Sequence, residues 1–241
     1  MTSPPAIVLV GGLGTRLRDL YPDRPKALVP VRGRPFIAWM LDWLRAQGVE
    51  RIHLAAGHLA HKLVEWRAAE PPDDRLTVSQ ELMPLGTGGG LRFALDFIAG
   101  AELLVLNGDS FLPSLDLRAW LAAPLADGLD GALAATRIET PGRYGTVEFG
   151  PDHRVSAFLE KADRPAGWVN GGVYRLRRAV LERIPADRAV SLETEVFPAA
   201  ARTGALAAHP TPPPLLDMGT PDGLRAMEDW LDANPQFFQR L

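Results

Sequence analysis

The chain has 241 residues, of which 46% are hydrophobic and 23% charged, with a net charge of −3 and no cysteine. This length allows one large α/β domain or two small ones, with enough apolar residues for a full core. The net negative charge argues against a general nucleic-acid surface, and the lack of cysteine excludes disulfides and thiolate zinc sites. Since the chain shows neither a signal peptide nor an apolar run of membrane-spanning length, we expect a cytoplasmic protein with no membrane partner.

The first predicted element is a strand of five apolar residues, Ala6 to Val10, which runs directly into a glycine-rich loop. Such a run is typical of a buried strand of a parallel sheet. Three glycines then leave backbone N–H groups accessible to phosphate oxygens, and two cations follow in the same turn. These loop residues are Gly11, Gly12, Gly14, Arg16 and Lys26. The loop is therefore a candidate cradle for a nucleoside triphosphate.

Two commoner phosphate-binding loops do not fit this stretch. A P-loop requires a glycine followed by Lys-Ser or Lys-Thr, which the loop lacks. A dinucleotide fingerprint requires a third glycine where this sequence has Leu17. Taken alone, the loop could also be a tight strand-to-helix turn with solvated cations.

The run Gly11-Gly12-Leu13-Gly14-Thr15-Arg16-Leu17, followed by Pro25-Lys26, resembles the signature of the sugar-1-phosphate nucleotidyltransferases. In that family the glycine loop wraps the triphosphate, and the arginine and lysine neutralise charge at the reacting phosphates. The resemblance therefore implies a catalytic role for Arg16 and Lys26. It implies nucleotide binding by Val10, Gly11, Gly12, Gly14 and Thr15.

Helices and strands then alternate along the chain. Apolar residues at helical spacing, with Pro35 at the start and Gly48 just past the end, predict the first helix. A strand is predicted over 51–56, a helix over 60–69 and another strand over 76–80.

A second glycine cluster, Glu81-x-x-Pro84-Leu85-Gly86-Thr87-Gly88-Gly89, opens a helix predicted to run to about Ile98. A flexible turn is the alternative. The cluster is similar to the family's second motif, which lies against the nucleotide base. This likeness implies nucleotide binding by Glu81, Gly86, Thr87 and Gly88.

The next predicted strand begins at Leu103 and ends in Asn107-Gly108-Asp109. In open α/β sheets, ligands bind at the carboxyl ends of the strands, where an aspartate could hold Mg²⁺. An Asx turn or a helix cap is the alternative role for Asp109. The motif resembles the family's metal-binding aspartate, which implies metal binding and catalysis by Asp109 and nucleotide binding by Asn107 and Gly108.

Beyond this aspartate, a helix is predicted over 117–123 and a strand over 132–137. Short strands over 144–149, 155–160 and 168–176 are joined by Gly, Pro and Asp turns. They indicate an antiparallel portion appended to the parallel sheet. We expect this portion to build the second wall of a cleft.

Three stretches of this wall resemble sugar-side motifs of the family. They are Arg143-Tyr144-Gly145, Glu160-Lys161 and Asn170-Gly171-Gly172-Val173-Tyr174. Carboxylate and amide groups satisfy sugar hydroxyls, and a lysine neutralises a phosphate. A solvated surface pair is the alternative for Glu160 and Lys161. The resemblance implies sugar binding by Tyr144, Gly145, Glu160, Lys161, Asn170 and Gly171.

The last part of the chain is predicted to hold two helices, over 178–184 and from Ser191 to before Gly204, and a strand over 206–209. The run Pro210-Thr211-Pro212-Pro213-Pro214 predicts a stiff loop. A final helix is expected over 221–233, followed by a tail whose phenylalanines, Phe237 and Phe238, favour core packing over an oligomer contact.

The sequence Asp217-Met218-Gly219-Thr220-Pro221 precedes that final helix, with Thr220 as its cap. It is similar to the family's late motif, in which the aspartate is the second magnesium ligand. The resemblance therefore implies that Asp217 and Asp109 bind Mg²⁺. A turn aspartate is the alternative.

These features predict a Rossmann-like, three-layer α/β/α fold of the nucleotide-diphospho-sugar transferase type, with a mixed, mainly parallel central sheet and a small antiparallel portion on the sugar side. We expect a single domain, 1–241, with a nucleotide-binding portion over about 1–137 and a sugar-binding portion over about 138–241. The expected partners are a nucleoside triphosphate and a sugar 1-phosphate, and a homodimer is possible.

The resemblance implies transfer of a nucleoside monophosphate to a sugar 1-phosphate, with release of pyrophosphate. The compact length and the run of motifs most resemble the family members that use GTP and D-glycero-D-manno-heptose 1-phosphate. A hexose 1-phosphate or N-acetylmuramate 1-phosphate as the sugar substrate, with UTP or CTP as the nucleotide, is the alternative that the sequence leaves open.

Two other classes of protein compete with this interpretation. A non-catalytic, nucleotide-sensing relative should have lost charged residues of the site, but all five are present: Arg16, Lys26, Asp109, Lys161 and Asp217. A metal-dependent glycosyltransferase should carry Asp-x-Asp after its central strand, where this chain has Asn107-Gly108-Asp109.

Overall fold

The computed structural model of the protein describes residues 3–12, 14, 16–17, 19–139, 142, 144–159 and 166–239. The strands in these ranges are β1 (Ala6–Leu9), β2 (Pro30–Val31), β3 (Arg34–Pro35), β4 (Ile52–Ala56), β5 (Leu76–Gln80), β6 (Glu102–Asn107), β7 (Ser110–Phe111), β8 (Gly131–Ile138), β9 (Thr146–Phe149), β10 (Val155–Leu159), β11 (Gly167–Arg177), β12 (Leu206–Thr211) and β13 (Leu216–Asp217). The α-helices are α1 (Phe36–Ala46), α2 (Ala60–Ala69), α3 (Gly86–Ala94), α4 (Leu117–Ala122), α5 (Arg178–Glu182), α6 (Phe197–Arg202), α7 (Pro221–Ala233) and α8 (Gln236–Gln239).

The central sheet has a parallel half and an antiparallel half. Strand β1 pairs in parallel with β4 and β6, and β4 pairs in parallel with β5. Strand β11 pairs antiparallel with β6, and also with β8 and β9. Strand β10 pairs antiparallel with β9 and extends the sheet. The predicted mixed sheet is therefore confirmed. Its antiparallel strands belong to the same sheet as the parallel ones.

Strand β11 joins the two halves because its register shifts between Asn170 and Tyr174. Its residues Val173–Arg177 pair with β6, whereas Val169 pairs with β9. The Gly171-Gly172 pair lies inside this irregularity, and Gly172 has a φ of +73°, a backbone conformation that glycine adopts without cost. The bend turns the strand from the parallel half toward the second wall of the cleft.

The sheet has a separate hydrophobic core on each face, because successive side chains of a strand point to opposite sides. Ala6 and Val8 of β1 pack on the side that holds α1, α2 and α7. Ile7 of the same strand packs on the opposite side, with α3, α5 and α6. This arrangement confirms the three-layer α/β/α class.

A cluster of aromatic rings anchors the C-terminal helices. Phe111 of β7 lies at its centre, with ring centroids 5.2 Å from Trp43, 6.1 Å from Trp230 and 5.9 Å from Phe237. The predicted core packing of Phe237 is confirmed, whereas the side chain of Phe238 lies outside the described part of the structure. The Thr220 hydroxyl caps α7 as predicted, by accepting the N–H of Gly223 at 3.1 Å.

Of the predicted elements whose extent differs from the structure, three are explained by particular residues. Helix α3 ends at Ala94, four residues before the predicted end, and the Arg178 guanidinium then binds the carbonyls of Leu95 and Ile98. The helix predicted from Ser191 is a π-helical turn followed by α6, because Pro198 has no N–H to continue an α-helical ladder. The predicted stiff loop begins late, since Pro210 and Thr211 belong to β12 and pair with β8. No helix in the described ranges is long and apolar enough to cross a membrane.

His53 of β4 is a buried, neutral histidine whose side chain contacts β5. His53 is fully buried, and its ring nitrogens lie 2.8 Å from Thr77 Oγ1 and 2.8 Å from Ser79 Oγ. Its ring stacks on Phe97 at a centroid distance of 5.3 Å. Burial lowers the pKa of His53 from 6.5 to about 4, because the charged imidazolium would lose its hydration.

This burial predicts an acid-sensitive stability. The unfolded chain binds a proton on His53 near pH 6.5 and the folded chain only near pH 4. The stabilisation is therefore complete above pH 6.5 and is lost as the pH falls toward 4, by up to about 3 kcal/mol. Urea unfolding between pH 4 and 7 should show a shallower decline for His53→Gln than for the wild type. The exposed His61 provides the control, His61→Gln, and parallel declines in all three proteins would refute the prediction.

Candidate active site

Two adjoining cavities open at the carboxyl ends of β1 and β6. The glycine-side cavity has a volume of about 310 Å³ and lies between the glycine loop and the start of α3. The strand-side cavity has a volume of about 480 Å³ and lies against β9, β11 and the segment before α6. Four residues line both cavities: Lys26, Thr87, Asn107 and Asp109. Two ligands bound side by side would therefore meet at these residues.

Most of the predicted site residues line these cavities. Besides the four shared residues, the glycine-side cavity is lined by Val10, Gly11, Gly12, Glu81, Gly86 and Gly108. The strand-side cavity is lined by Gly14, Arg16, Tyr144, Gly145, Asn170 and Asp217. Gly88 and Gly171 line neither cavity, since Gly88 donates its N–H to Val190 and Gly171 packs against Leu112. Thr15, Glu160 and Lys161 lie outside the described residues.

The floor of the site is formed by the ends of β1 and β6, which approach closely. The N–H of Gly108 donates to the Leu9 carbonyl at 2.8 Å. A Cβ on Gly108 would lie 2.6 Å from that same oxygen, so only glycine fits there. Arg16 lines the strand-side cavity with an exposed side chain and forms no hydrogen bond or ion pair with the described residues. Its guanidinium is therefore available to a phosphate group.

The pairing of β7 with β13 brings two aspartates together. Asp217 pairs with Ser110, and the Met218 N–H donates to the Asp109 carbonyl at 3.0 Å. Lys26 lies against both carboxylates, with Nζ 2.5 Å from Asp109 Oδ2 and 3.9 Å from Asp217 Oδ1. The Ser110 hydroxyl donates a hydrogen bond to Asp109 Oδ1 at 3.1 Å, and the Gly219 N–H donates one to Asp217 Oδ1 at 2.7 Å. These hydrogen bonds also hold the two carboxylates in place.

These two carboxylates are the candidate metal ligands. No group of three histidine or acidic side chains in the described residues could hold a metal ion. A pair of carboxylates nevertheless suits Mg²⁺, which keeps water and binds substrate phosphates at its other positions. The Lys26 ammonium shows that the space beside Asp109 and Asp217 accepts a cation.

Glu81 places a carboxylate in the glycine-side cavity. Its Oε2 accepts the Leu85 N–H at 3.1 Å, just before α3 begins. Its side chain lies close over Gly90, where a Cβ would come within 2.5 Å of Oε1. Burial raises the pKa of Glu81, although the Leu85 hydrogen bond opposes this shift. The glycines of α3 thus make room for an acid beside the ligand space.

The start of α3 is attached to the segment before α6, a contact that the sequence analysis missed. The Val190 carbonyl accepts the N–H of Gly88 at 2.8 Å. The Thr87 hydroxyl donates to Glu193 Oε2 at 2.7 Å and accepts the Leu192 N–H at 2.8 Å. Ser191, Glu193 and Thr194 consequently line the strand-side cavity. No local motif identified them, since Ser191 was interpreted only as a helix start.

A buried tyrosine connects the two walls beneath the cavities. The Asn170 side-chain amide donates to the Tyr174 hydroxyl at 2.8 Å, and the Asn107 side chain also hydrogen-bonds to that hydroxyl. Burial raises the pKa of Tyr174, so the hydroxyl is protonated. The Asn170 carbonyl oxygen accepts the Gly172 N–H at 3.0 Å, which holds the side chain in the bend of β11. Asn107 and Asn170 are thus fixed by one neutral group.

The sequence model of the nucleotidyl transferase family matches residues 5–232. The chain belongs to the nucleotidyl transferase family. HddC from Yersinia pseudotuberculosis complexed with GMP-PN has a similar structure, with a TM-score of 0.82 and 29% sequence identity. The match covers 95% of this chain and 99% of HddC.

Two curated relatives differ in how much of their length the chain spans. The D-glycero-alpha-D-manno-heptose 1-phosphate guanylyltransferase of Campylobacter jejuni is 32% identical over 188 residues, which are 78% of this chain and 82% of the relative. The mannose-1-phosphate guanylyltransferase of Mycobacterium tuberculosis is 37% identical over 199 residues, 80% of this chain but 54% of the relative. The chain thus spans about half the length of the mannose relative. The predicted family resemblance is confirmed.

The contact between α3 and Val190 predicts that Gly86 is essential for stability. Gly86 has a φ of +72°, and a Cβ there would lie 2.5 Å from the Val190 carbonyl oxygen. Gly86→Ala should therefore lower the free energy of unfolding by about 2–3 kcal/mol, measured by urea denaturation. In the control, Gly12→Ala, the added Cβ has nothing within 4 Å. That variant should unfold within about 0.5 kcal/mol of the wild type, and equal stability of both variants would contradict the geometry.

Proposed function

We propose that the protein transfers a guanylyl group from GTP to a sugar 1-phosphate and releases pyrophosphate, with D-glycero-D-manno-heptose 1-phosphate as the sugar substrate. The observation that carries this proposal is the junction of two cavities at Lys26 and Asp109. One cavity is lined by a glycine loop and the other by polar groups suited to sugar hydroxyls. The match over nearly the whole length of HddC, a guanine-nucleotide complex, supports guanine as the base and a heptose as the sugar.

The proposed reaction needs positioning and countercharge more than acid–base catalysis. An oxygen of the sugar phosphate attacks the α-phosphorus in line, and the bond to the β-phosphate oxygen breaks with its electrons going to pyrophosphate. The attacking oxygen is already anionic, so no side chain has to remove a proton. The barrier comes from bringing two polyanions together, which fixed cations in a preorganised cleft reduce.

The two cations of the loop divide this task. Arg16, whose exposed side chain forms no hydrogen bond or ion pair with the described residues, would hold the leaving phosphates. Lys26 lines both cavities and would contact the reacting phosphates. Asp109 and Asp217 would hold Mg²⁺, a hard ion that suits their oxygen ligands. When bound, the ion would supply positive charge to phosphate oxygens of both substrates.

Glu81 is the residue that we propose selects guanine. The Watson–Crick edge of guanine presents the donors N1–H and N2–H₂ side by side, and a carboxylate accepts from both. Uracil, cytosine and thymine lack this pair of neighbouring donors. The position of Glu81 in the glycine-side cavity, against the glycines of α3, fits this role.

Mannose 1-phosphate is the second candidate substrate. It is favoured by the 37% identity to the mannose-1-phosphate guanylyltransferase of Mycobacterium tuberculosis. The reaction would be the same, and the two sugars would be distinguished by the strand-side cavity. A homodimer and a cytoplasmic location are parts of this proposal that rest on the sequence alone.

The proposed transfer can be tested by pyrophosphate release. GTP, UTP, CTP and dTTP should each be combined with heptose, mannose, glucose and N-acetylmuramate 1-phosphates. We expect kcat/KM to be highest for GTP with D-glycero-D-manno-heptose 1-phosphate, by about tenfold over mannose 1-phosphate, since one additional neutral hydrogen bond contributes about 0.5–1.5 kcal/mol. Asp109→Asn provides the inactive control. Faster release with mannose 1-phosphate would support the second candidate, and no release with any pair would favour a nucleotide-sensing protein.

Guanine selection by Glu81 predicts a weak response to inosine triphosphate, which lacks the N2 amine. The kcat/KM should be about tenfold lower for ITP than for GTP, because one charge-assisted hydrogen bond is lost. Glu81→Gln should reduce the value for GTP and narrow the difference from ITP. The exposed Glu65 on α2 gives the control, Glu65→Gln, which should behave as the wild type. An equal loss for GTP and ITP in Glu81→Gln would rule out recognition of the N2 amine.

A further inference from the structure

The Lys26 ammonium lies against the carboxylates of Asp109 and Asp217. Its distances of 2.5 Å to Asp109 Oδ2 and 3.9 Å to Asp217 Oδ1 make it the shared counter-ion of two carboxylates. The side chains of Lys26 and Asp217 are each only 15% exposed, so water screens these charges weakly. The ammonium therefore occupies the space in which a further cation on these two carboxylates would bind.

We propose that Lys26 is an exchangeable counter-ion, which occupies the carboxylates of Asp109 and Asp217 until a divalent cation displaces it and then transfers to a substrate phosphate. This inference rests on the magnesium ligands of the proposed function. It adds that the metal and the ammonium compete for the same two carboxylates. A metal ion held by Asp109 and Asp217 would have to share these carboxylates with the ammonium of Lys26.

The surroundings of Lys26 allow its side chain to move while its backbone stays. The residue begins a 3-10 turn whose next two residues, Ala27 and Leu28, are buried. The Val29 N–H donates to the Lys26 carbonyl at 3.1 Å, which fixes the backbone. Gly219 leaves space beside Nζ of Lys26, because a Cβ at this position would lie only 3.0 Å from Nζ. A four-carbon chain with free rotation can therefore swing its ammonium within the site.

The destination of the displaced ammonium is set by the cavities. Lys26 lines both of them, so its ammonium reaches a phosphate in either one. Without substrate, a divalent cation must displace the ammonium and leave it without a new partner. With a nucleotide present, the ammonium exchanges carboxylate oxygens for phosphate oxygens. Metal and nucleotide should therefore each raise the affinity of the protein for the other.

The exchange can be tested with Mn²⁺ alone, followed by electron paramagnetic resonance of the free ion, in the absence of any substrate. Lys26→Met removes the competing charge and keeps the length of the chain, so it should bind Mn²⁺ at least about tenfold more tightly than the wild type. Lys26→Gln is a second neutral variant should the first fold poorly, as checked by circular dichroism. Arg16→Met removes a cation that lines the same cavity without touching the aspartates, and it should match the wild type.

Two further measurements separate the exchange from a general charge effect. Adding a non-hydrolysable GTP analogue should raise the Mn²⁺ affinity of the wild type by about fivefold or more, and that of Lys26→Met by clearly less. Asp217→Asn in the Lys26→Met background should abolish the tight binding. Equal or weaker Mn²⁺ binding by Lys26→Met, or tight binding that survives Asp217→Asn, would overturn the exchange. Because these titrations contain no sugar phosphate, they can fail while pyrophosphate release succeeds, and the reverse.

Discussion

The structure depends on a contact of two short strands, β7 and β13, which hold the acidic centre of the site together. Ser110 pairs with Asp217, and the Asp109 carbonyl accepts the Met218 N–H. This ribbon is too short to be stable by itself, because isolated two-stranded pairs are marginal in water. Its stability comes from Phe111, which buries its ring among Trp43, Trp230 and Phe237. Helix packing on one face of the sheet thus fixes the carboxylates on its edge.

The opposite wall of the cleft is also held in position by residues that lie outside its surface. Strand β11 needs its bend at Gly171-Gly172 so that one half can pair with β6 while the other forms the wall. Tyr174 stabilises this bend, because the side chains of Asn170 in the wall and Asn107 in the floor both hydrogen-bond to its hydroxyl. A protonated hydroxyl can hydrogen-bond to both amides without adding charge to a site that is proposed to bind polyanions. The two walls are therefore joined by neutral hydrogen bonds, and the charges stay in the cleft.

The sequence contains strong signals for features that are local. The positions of Asp109 and Asp217 could be predicted because each lies at the end of an apolar stretch and close to a glycine, Gly108 before Asp109 and Gly219 after Asp217. The strands and helices of the parallel half were predictable for the same reason, and α2, β5 and α7 have the predicted bounds. Contacts made by the backbone leave no such signal. The Val190 carbonyl accepts an N–H at the start of α3, but a backbone carbonyl of any residue type could do so. Two-residue strands such as β7 and β13 are too short to show a periodic pattern in the sequence.

The four residues shared by the cavities show how the fold and the proposed chemistry fit together. Thr87 is held by Glu193 and Leu192, and Asn107 by Tyr174, so these two neutral groups form a fixed boundary between the cavities. Lys26 and Asp109 form an ion pair, in which Lys26 also faces Asp217 and Asp109 also accepts the Ser110 hydroxyl. The proposed anionic substrates would leave the hydrogen bonds of the neutral pair unchanged and would compete with Asp109 for the Lys26 ammonium. The rigid frame therefore confines the response to the two groups whose charges act on the reacting phosphates.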